Sequence, residues 1–304
     1  MRSELSGPKV AIVIVNYNGE KVINDCVKSL KKIDYPNYDI TIVDNNSQDN
    51  SVTLLKKTHS QIELIENKEN VGVAEGNNIG IRYGLKRKAK YILLLNPDTE
   101  VKRNFLTELV AEAERNERSL ICPKIYYYDQ PKILWYAGGY INWLTGTSFH
   151  TGQDQKDIGN YQKVKKVSYS STCCLLIPAL AFKEIGLMDA KYFVYFDDTD
   201  FCARANKNHY SIIYDPKSII WHKVGSLTGG EESPIAVYYG TRNKLYFMRK
   251  NASLFKFFLF LPIFSLVRLI KITKYLIKGD FKKIRLLFQA IKNYANNQLG
   301  YQKI

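Results

Sequence analysis

Apolar and polar positions fall into alternating blocks along the first hundred residues. Four runs are apolar enough to be buried strands: Val10 to Val15, Ile40 to Val43, Ile62 to Ile65 and Tyr91 to Leu95. Amphipathic stretches lie between them, roughly Gly19 to Lys32, Ser51 to Thr58 and Ala74 to Lys88. Apolar strands separated by helices of this length read as β-α-β units on a parallel sheet. Their crossovers are right-handed, so the strand C-termini gather along one edge, where ligands bind in open α/β sheets. Each strand leads into a polar cluster: Asn16-Tyr17-Asn18-Gly19, Asp44-Asn45-Asn46-Ser47, Asn70 to Asn78, and Asn96-Pro97-Asp98. Asn and Asp are ordinary turn and cap residues. Four such ends in succession point instead to a ligand edge.

From Leu120 to Val167 the chain is irregular and rich in aromatics, including Tyr126, Tyr127, Tyr128, Trp135, Tyr136 and Trp143. Such a segment suits hairpins and loops that wall an acceptor pocket, although ordinary core aromatics give the same pattern. Strand and helix patterns return from Ser168 to His222 around an acidic cluster. The last sixty residues are helical by pattern. Their apolar run, Leu254 to Ile270, is interrupted by Lys256, Pro262 and Arg268, too soon for the 20 or so apolar residues that a bilayer span needs.

Charge is uneven. The chain carries +15 over 304 residues, but from Arg242 onward fourteen Lys and Arg stand against one acid, Asp280. The basicity therefore describes an appendage, and the catalytic body before it is nearly neutral. Basic flanks at Lys271, Lys274, Lys278, Lys282, Lys283 and Arg285 suit a helix lying in a membrane interface. Packing on the chain's own body, or on a second copy in a homodimer, is the rival reading; nucleic acid is not expected as a partner. The five cysteines, Cys26, Cys122, Cys173, Cys174 and Cys202, form no C-x-x-C pair and suggest reduced thiols of a cytosolic protein. Nothing at the N-terminus reads as a signal peptide.

Three places can carry chemistry. Asp98 follows an apolar strand at the ligand edge, where a carboxylate is placed to hold Mg²⁺ or Mn²⁺ together with substrate phosphates. Asp197, Asp198 and Asp200 crowd three carboxylates into four residues. Such a cluster costs stability unless a cation, an Arg or a helix N-terminus relieves it. Arg204 can pair with Asp200 one helical turn away, which leaves Asp198 free as a general base. His222, after a β-type run, can be a metal ligand, a phosphate contact or a structural hydrogen-bonding residue. Gly72, Gly76 and Gly80 recur every four residues, and their small size is read as letting a helix N-terminus approach a nucleotide. There is no G-x-G-x-x-G, no P-loop and no G-x-S-x-G elbow, which argues against a dinucleotide-dependent dehydrogenase, a P-loop NTPase and an α/β-hydrolase.

With these residues in view the chain resembles the family-2 glycosyltransferases of GT-A fold, and within them the rhamnosyltransferase-like branch. The resemblance runs from about Lys9 to Arg249 and rests on seven motifs in order: VAIVIVNYNG, ITIVDNNSQDNS, NVGVAEGNNIGIRYG, YILLLNPDTEV, FVYFDDTDFCARA, WHKVGS and YYGTRNKLYF. It implies a Rossmann-like, mostly parallel sheet flanked by helices. The resemblance also implies site roles. Asp44 and Asn45 would hold the base and ribose of a nucleotide, with Val15 and Tyr17 lining that pocket. Asn78 would lie near the ribose and phosphates, and Arg242 near the diphosphate. Asn96 and Asp98 match the D-x-D position, Asp98 as metal ligand. His222 would complete the donor or metal site, and Asp198 matches the catalytic base. Three positions depart from the common pattern: Asn96 replaces the first Asp of D-x-D, Asn45 the second Asp of D-D-x-S, and Asp197 the Glu before the base. The Asn45 departure fits the branch that uses dTDP-rhamnose.

The resemblance thus implies an inverting, metal-dependent transfer from a nucleotide-diphosphate sugar to a glycan or lipid-linked glycan, in cell-surface polysaccharide synthesis. The expected organisation is a catalytic domain over 1–250, with its nucleotide-binding half at 1–100 and acceptor-binding half at 101–250. A basic amphipathic tail follows over 251–304, holding the protein at the cytoplasmic face of the cell membrane. A non-catalytic sugar-nucleotide or glycan binder and a nucleotidyltransferase are the alternatives.

Overall fold

The computed structural model describes residues 7–225, 230 and 232–304. Ser226, the last residue of the WHKVGS motif, lies outside them. The first half alternates as its pattern predicts: β1 (Val10–Asn16), α1 (Ile23–Leu30), β2 (Tyr38–Asp44), α2 (Ser51–Thr58), β3 (Glu63–Glu66), α3 (Gly72–Lys86) and β4 (Tyr91–Leu95). β1 pairs in parallel with both β2 and β4, and β2 with β3. β1 and β4 carry an unbroken apolar run because both of their faces are covered.

Beyond β4 come β5 (Thr99–Val101), α4 (Phe105–Arg115) and β6 (Ser119–Tyr127). The irregular middle resolves into β7 (Leu134–Tyr136), a hairpin of β8 (Gly139–Asn142) and β9 (Thr147–His150), and β10 (Lys165–Val167). β11 (Cys174–Pro178), α5 (Ala179–Glu184), α6 (Asp197–Lys207) and β12 (Ser211–His222) complete the body. The main sheet has ten strands, in the order β10-β12-β6-β11-β4-β1-β2-β3 with β5 and β7 pairing to its flank. β11 runs antiparallel to both β4 and β6, so it is the seam between the parallel β4-β1-β2-β3 half and the rest of the sheet.

The glycines of α3 serve a different end from the one expected. A Cβ on Gly76 would meet Val15 at 2.8 Å, one on Gly80 would meet Val13 at 2.2 Å, and one on Gly84 would meet Ala11 at 2.7 Å. The stripe lets α3 lie flat on β1, residue against residue.

The chain ends in α7 (Pro234–Asn251), α8 (Leu254–Ile277) and α9 (Phe281–Ala295). These are not a detached appendage. Phe260 and Phe264 of α8 belong to the same core cluster as the sheet. α9 closes a second cluster with α7 and the end of α8, through Tyr238, Tyr275, Leu287 and Ala290. Pro262 lies within α8. Among the described residues no helix is long and apolar enough to cross a membrane. All five cysteines are buried and free.

Candidate active site

Asp98 and His222 are brought together by strand pairing. β5 lies antiparallel on the end of β12 with Thr99 opposite His222. The Lys223 amide donates to the Asp98 carbonyl at 2.8 Å. Side by side, the His222 Nε2 and Asp98 Oδ1 atoms are 3.1 Å apart, and both side chains are buried. His222 Nδ1 is buried with no hydrogen-bond partner among the described residues. No three His, Cys, Asp or Glu side chains converge among those residues. Two donors with an orphaned ring nitrogen suit a hard divalent ion whose remaining ligands come from water and substrate phosphates.

A series of rings leads from this pair to Asp198. Trp135 meets His222 edge to face with centroids 4.6 Å apart. Trp135 meets His150 in the same way at 4.4 Å, and His150 stacks on Tyr169 at 5.9 Å. The Tyr169 hydroxyl donates to Asp198 Oδ2 at 2.8 Å. His150 is held neutral: burial pushes it down to about 4, against a hydrogen bond to the Trp135 carbonyl and with help from His222. The wall between the two carboxylates is therefore rigid, aromatic and uncharged.

Asp198 opens α6, and the approach to it is strained. Phe193, Tyr195 and Phe196 all hold positive φ, at 65°, 63° and 69°. None is glycine, so the conformation persists because its surroundings impose it. The Asn243 amide supplies that restraint by donating to the carbonyls of Tyr192, Val194 and Tyr195 at 2.9, 2.8 and 3.0 Å. The Phe193 carbonyl accepts from the Val73 amide at 2.7 Å, which ties the loop to the start of α3.

The three carboxylates of the cluster differ in environment. Asp200 is paired with Arg204 at 2.7 Å, as its spacing predicts, and with Lys250 at 2.8 Å. Asp198 keeps some exposure and accepts from Tyr169 and from both the amide and hydroxyl of Thr199. Asp197 is buried, and its Oδ2 has no hydrogen-bond partner among the described residues. Burial and the charge of Asp198 push the Asp197 carboxyl up to about 8. Burial raises Asp198 too, opposed by its hydrogen bonds. Of this tightly linked pair, Asp197 is raised the more clearly, because burial and its neighbour's charge act on it while the hydroxyl donors Tyr169 and Thr199 reach Asp198.

The nucleotide candidates divide into residues that face the edge and residues that build it. Tyr17 is 43% exposed and Val15 half-buried at the end of β1. Asp44 is buried, and its carboxylate accepts from Asn16 at 2.7 Å and from the Ser47 hydroxyl and amide at 2.6 and 2.9 Å. Asn45 bonds the Gly72 carbonyl at 3.0 Å and accepts from Asn67 at 2.8 Å. Asn96 is half-buried, its amide held by the Cys173 carbonyl at 2.9 Å. Asn78 pairs its side-chain amide with both backbone groups of Met188, each at 2.9 Å, and so pins α3 to the loop around Met188.

Arg242, too, has its hydrogen bonds within the fold. It is fully buried, with its donors committed to Asn243 Oδ1 and the carbonyls of Gly300, Lys191 and Tyr192. It clamps the Tyr192 loop to the C-terminal segment. Tyr169, His150 and the clamping role of Asn243 were not legible in the sequence, because each acts through a contact between distant segments.

Residues 11–186 match the model of Glycosyl transferase family 2. The chain belongs to that family. This family-2 glycosyltransferase is 28% identical over 208 residues to the low-salt glycan biosynthesis hexosyltransferase Agl10 of Haloferax volcanii, covering 67% of this chain and 63% of that one. It is 26% identical to the dTDP-rhamnosyl transferase RfbF of Shigella flexneri, covering 79% of each chain. Its fold is GT-A. It superposes on S. aureus TarS 1-349 in complex with UDP-GlcNAc with a TM-score of 0.62 at 14% identity, covering 94% of this chain and 80% of that one. GalNAc-T7 with UDP, GalNAc and Mn²⁺ gives a TM-score of 0.57 at 17% identity, over 71% of this chain and 43% of that one.

Proposed function

We propose that this family-2 glycosyltransferase moves a sugar, with inversion, from a nucleotide-diphosphate donor to a hydroxyl of a glycan or lipid-linked glycan in cell-surface polysaccharide synthesis. The donor proposed is dTDP-rhamnose, supported by Asn45 in the nucleotide motif and by the similarity to RfbF. The observation that carries the reading is the ring-to-ring wall from Asp198 to the Asp98–His222 pair. It links the proposed base to the proposed cation-holding pair through a continuous series of side-chain contacts.

Asp98 and His222 would hold Mg²⁺ or Mn²⁺, whose charge offsets that of a departing diphosphate. Asp198 accepts the acceptor's proton as its oxygen attacks the anomeric carbon. Tyr169 and Thr199 orient the carboxylate toward that proton. Val15 and Tyr17 flank the base of the nucleotide, with Asp44, Asn45 and Asn96 shaping the edge beneath it. The membrane is the surface proposed for the basic tail, at the cytoplasmic face of the cell. α8 exposes Phe255, Phe258, Leu266, Leu269 and Ile270 beside the Lys-rich segment.

A thermal-shift screen of UDP-, GDP- and dTDP-sugars with and without Mn²⁺ tests the donor and the metal together. A donor at a hundred times its Kd stabilises by about 2.7 kcal/mol. dTDP-rhamnose is expected to give the largest shift, and only with the metal. Equal shifts without metal would remove the cation from the scheme. A product of retained anomeric configuration would remove inversion.

A further inference from the structure

The ring series between the Asp98–His222 pair and Asp198 contains a polar atom that the fold leaves unused. β9 pairs with β8 so that Gly139 stands opposite His150, Tyr140 opposite Phe149 and Ile141 opposite Ser148. Side chains alternate across a strand, so Ser148 and His150 share one face and Phe149 takes the other. Phe149 stacks on Tyr140, and both are exposed. The opposite face lies on the segment that carries Tyr169, whose amide donates to the Gly139 carbonyl at 3.2 Å. There Ser148 hydrogen-bonds to the Tyr169 hydroxyl, and the His150 ring stacks on the Tyr169 ring. Trp135 and Tyr136 meet His150 edge to face, with centroids 4.4 and 5.2 Å away. His150 therefore stands in the middle of the series, with Trp135 between it and His222 and Tyr169 between it and Asp198.

The hydrogen bond at Nδ1 decides what this ring can offer. Nδ1 lies 3.1 Å from the Trp135 carbonyl oxygen. A carbonyl only accepts, so Nδ1 carries the hydrogen. Burial holds the ring neutral, and a neutral imidazole protonated at Nδ1 has a bare Nε2 that accepts. Nε2 takes no hydrogen bond among the described residues, and His150 keeps some exposure. The nearby Tyr169 hydroxyl is already spent on Asp198. A bare acceptor covered by a ligand costs binding energy unless that ligand donates to it. In a single in-line displacement the anomeric carbon lies between the departing diphosphate and the attacking oxygen. With the diphosphate at Asp98 and His222 and the oxygen at Asp198, the transferred sugar spans the stretch at whose centre His150 stands. Such a sugar brings hydroxyl donors and no charge, which suits an uncharged wall.

We propose that His150 is a specificity-determining residue whose Nε2 accepts a hydrogen bond from a hydroxyl of the sugar being transferred. This rests on the transferase function proposed above and adds the residue that reads the sugar.

The test measures, by calorimetry on the full chain with Mg²⁺, binding of dTDP-rhamnose, UDP-glucose and UDP-GlcNAc, each against its own nucleoside diphosphate. His150→Phe keeps a ring in place and removes the acceptor. It is expected to weaken at least one nucleotide sugar by about tenfold, the loss typical of one hydrogen bond left unmade. Binding of dTDP and UDP is expected to stay level. If no sugar of the panel is weakened more than its own nucleotide, the proposal is overturned; an equal loss for both marks a purely structural ring. Imidazole ¹⁵N spectra of the wild-type protein decide the matter even where the Phe variant fails to fold. Nε2 of His150 is expected to be unprotonated at neutral pH, and its resonance to move with a nucleotide sugar of the panel and not with the nucleotide alone. A protonated Nε2, or a resonance that none of the sugars moves, overturns the proposal. Donor hydrolysis by the wild-type protein with Mn²⁺ judges the transferase reading separately.

Discussion

At the scale of single residues, the proposed chemistry turns on two adjacent aspartates in opposite surroundings. Asp198 collects hydrogen-bond donors, whereas Asp197 is buried with an orphaned oxygen. Asp198→Asn is expected to lower kcat by about 10²–10⁴-fold, the usual contribution of a positioned base; steady-state kinetics with saturating donor checks it, and a much smaller loss moves the base elsewhere. Asp197→Asn has a different signature. Its carboxyl is raised to about 8 from an ordinary value of 3.8. Between those limits the unfolded chain has released the proton that the folded chain keeps, so stability falls as pH rises through that window. The Asn variant escapes this loss. Its melting temperature is expected to exceed the wild type's by a margin that grows from about pH 4 to about pH 8 and is absent in more acid solution. Sequence showed that these carboxylates were clustered and that Arg204 would take Asp200. It could not show which of the other two was wet, because that depends on Tyr169, which reaches the cluster from outside any motif.

At the scale of elements, strands and helices were legible because their apolar periods are strong, while the purpose of small or polar positions inside them was not. The α3 glycines illustrate this: a four-residue spacing fixes a face but not its partner, and the partner is β1. Gly80→Ala puts a methyl 2.2 Å from Val13 Cγ1. Overpacking of this kind costs about 1–3 kcal/mol, so urea unfolding is expected to show a lower midpoint with an unchanged slope. The loop before α6 gives a second case. Asn243 holds three carbonyls of a segment with three left-handed non-glycine residues. Asn243→Leu takes a donor from each of them, and although the Tyr192 carbonyl keeps Arg242 and the Val194 amide, the loss is about 1–3 kcal/mol for a carbonyl left buried and unbonded. Because the loop aims Asp198, kcat is expected to fall more than KM for the donor rises. The late Arg-Asn motif was visible in the sequence, but its partners are backbone carbonyls, which no residue pattern announces.

At the scale of the whole molecule, the composition shift after Arg242 suggested a boundary where the structure has continuity. Phe260 and Phe264 complete the sheet's core, and the Gly300 carbonyl accepts from Arg242. Removal of residues 251–304 is therefore expected to lower the melting temperature sharply and is no clean probe of membrane binding. Replacing Phe255, Phe258, Leu269 and Ile270, all exposed, with Ser leaves that core intact. It is expected to reduce cosedimentation with anionic vesicles while donor binding persists; undiminished cosedimentation would remove the membrane from the scheme.

The stitch between Arg242, Gly300 and the Lys191–Tyr192 carbonyls also sets an order in time. Chains emerge from a ribosome N-terminus first, so the segments that carry Asp98, Asp198 and His222 are synthesised before residue 300 is. Until that residue docks, the segment in front of Asp198 lacks part of its brace. A half-made chain thus carries those side chains with the Arg242–Gly300 stitch still unformed.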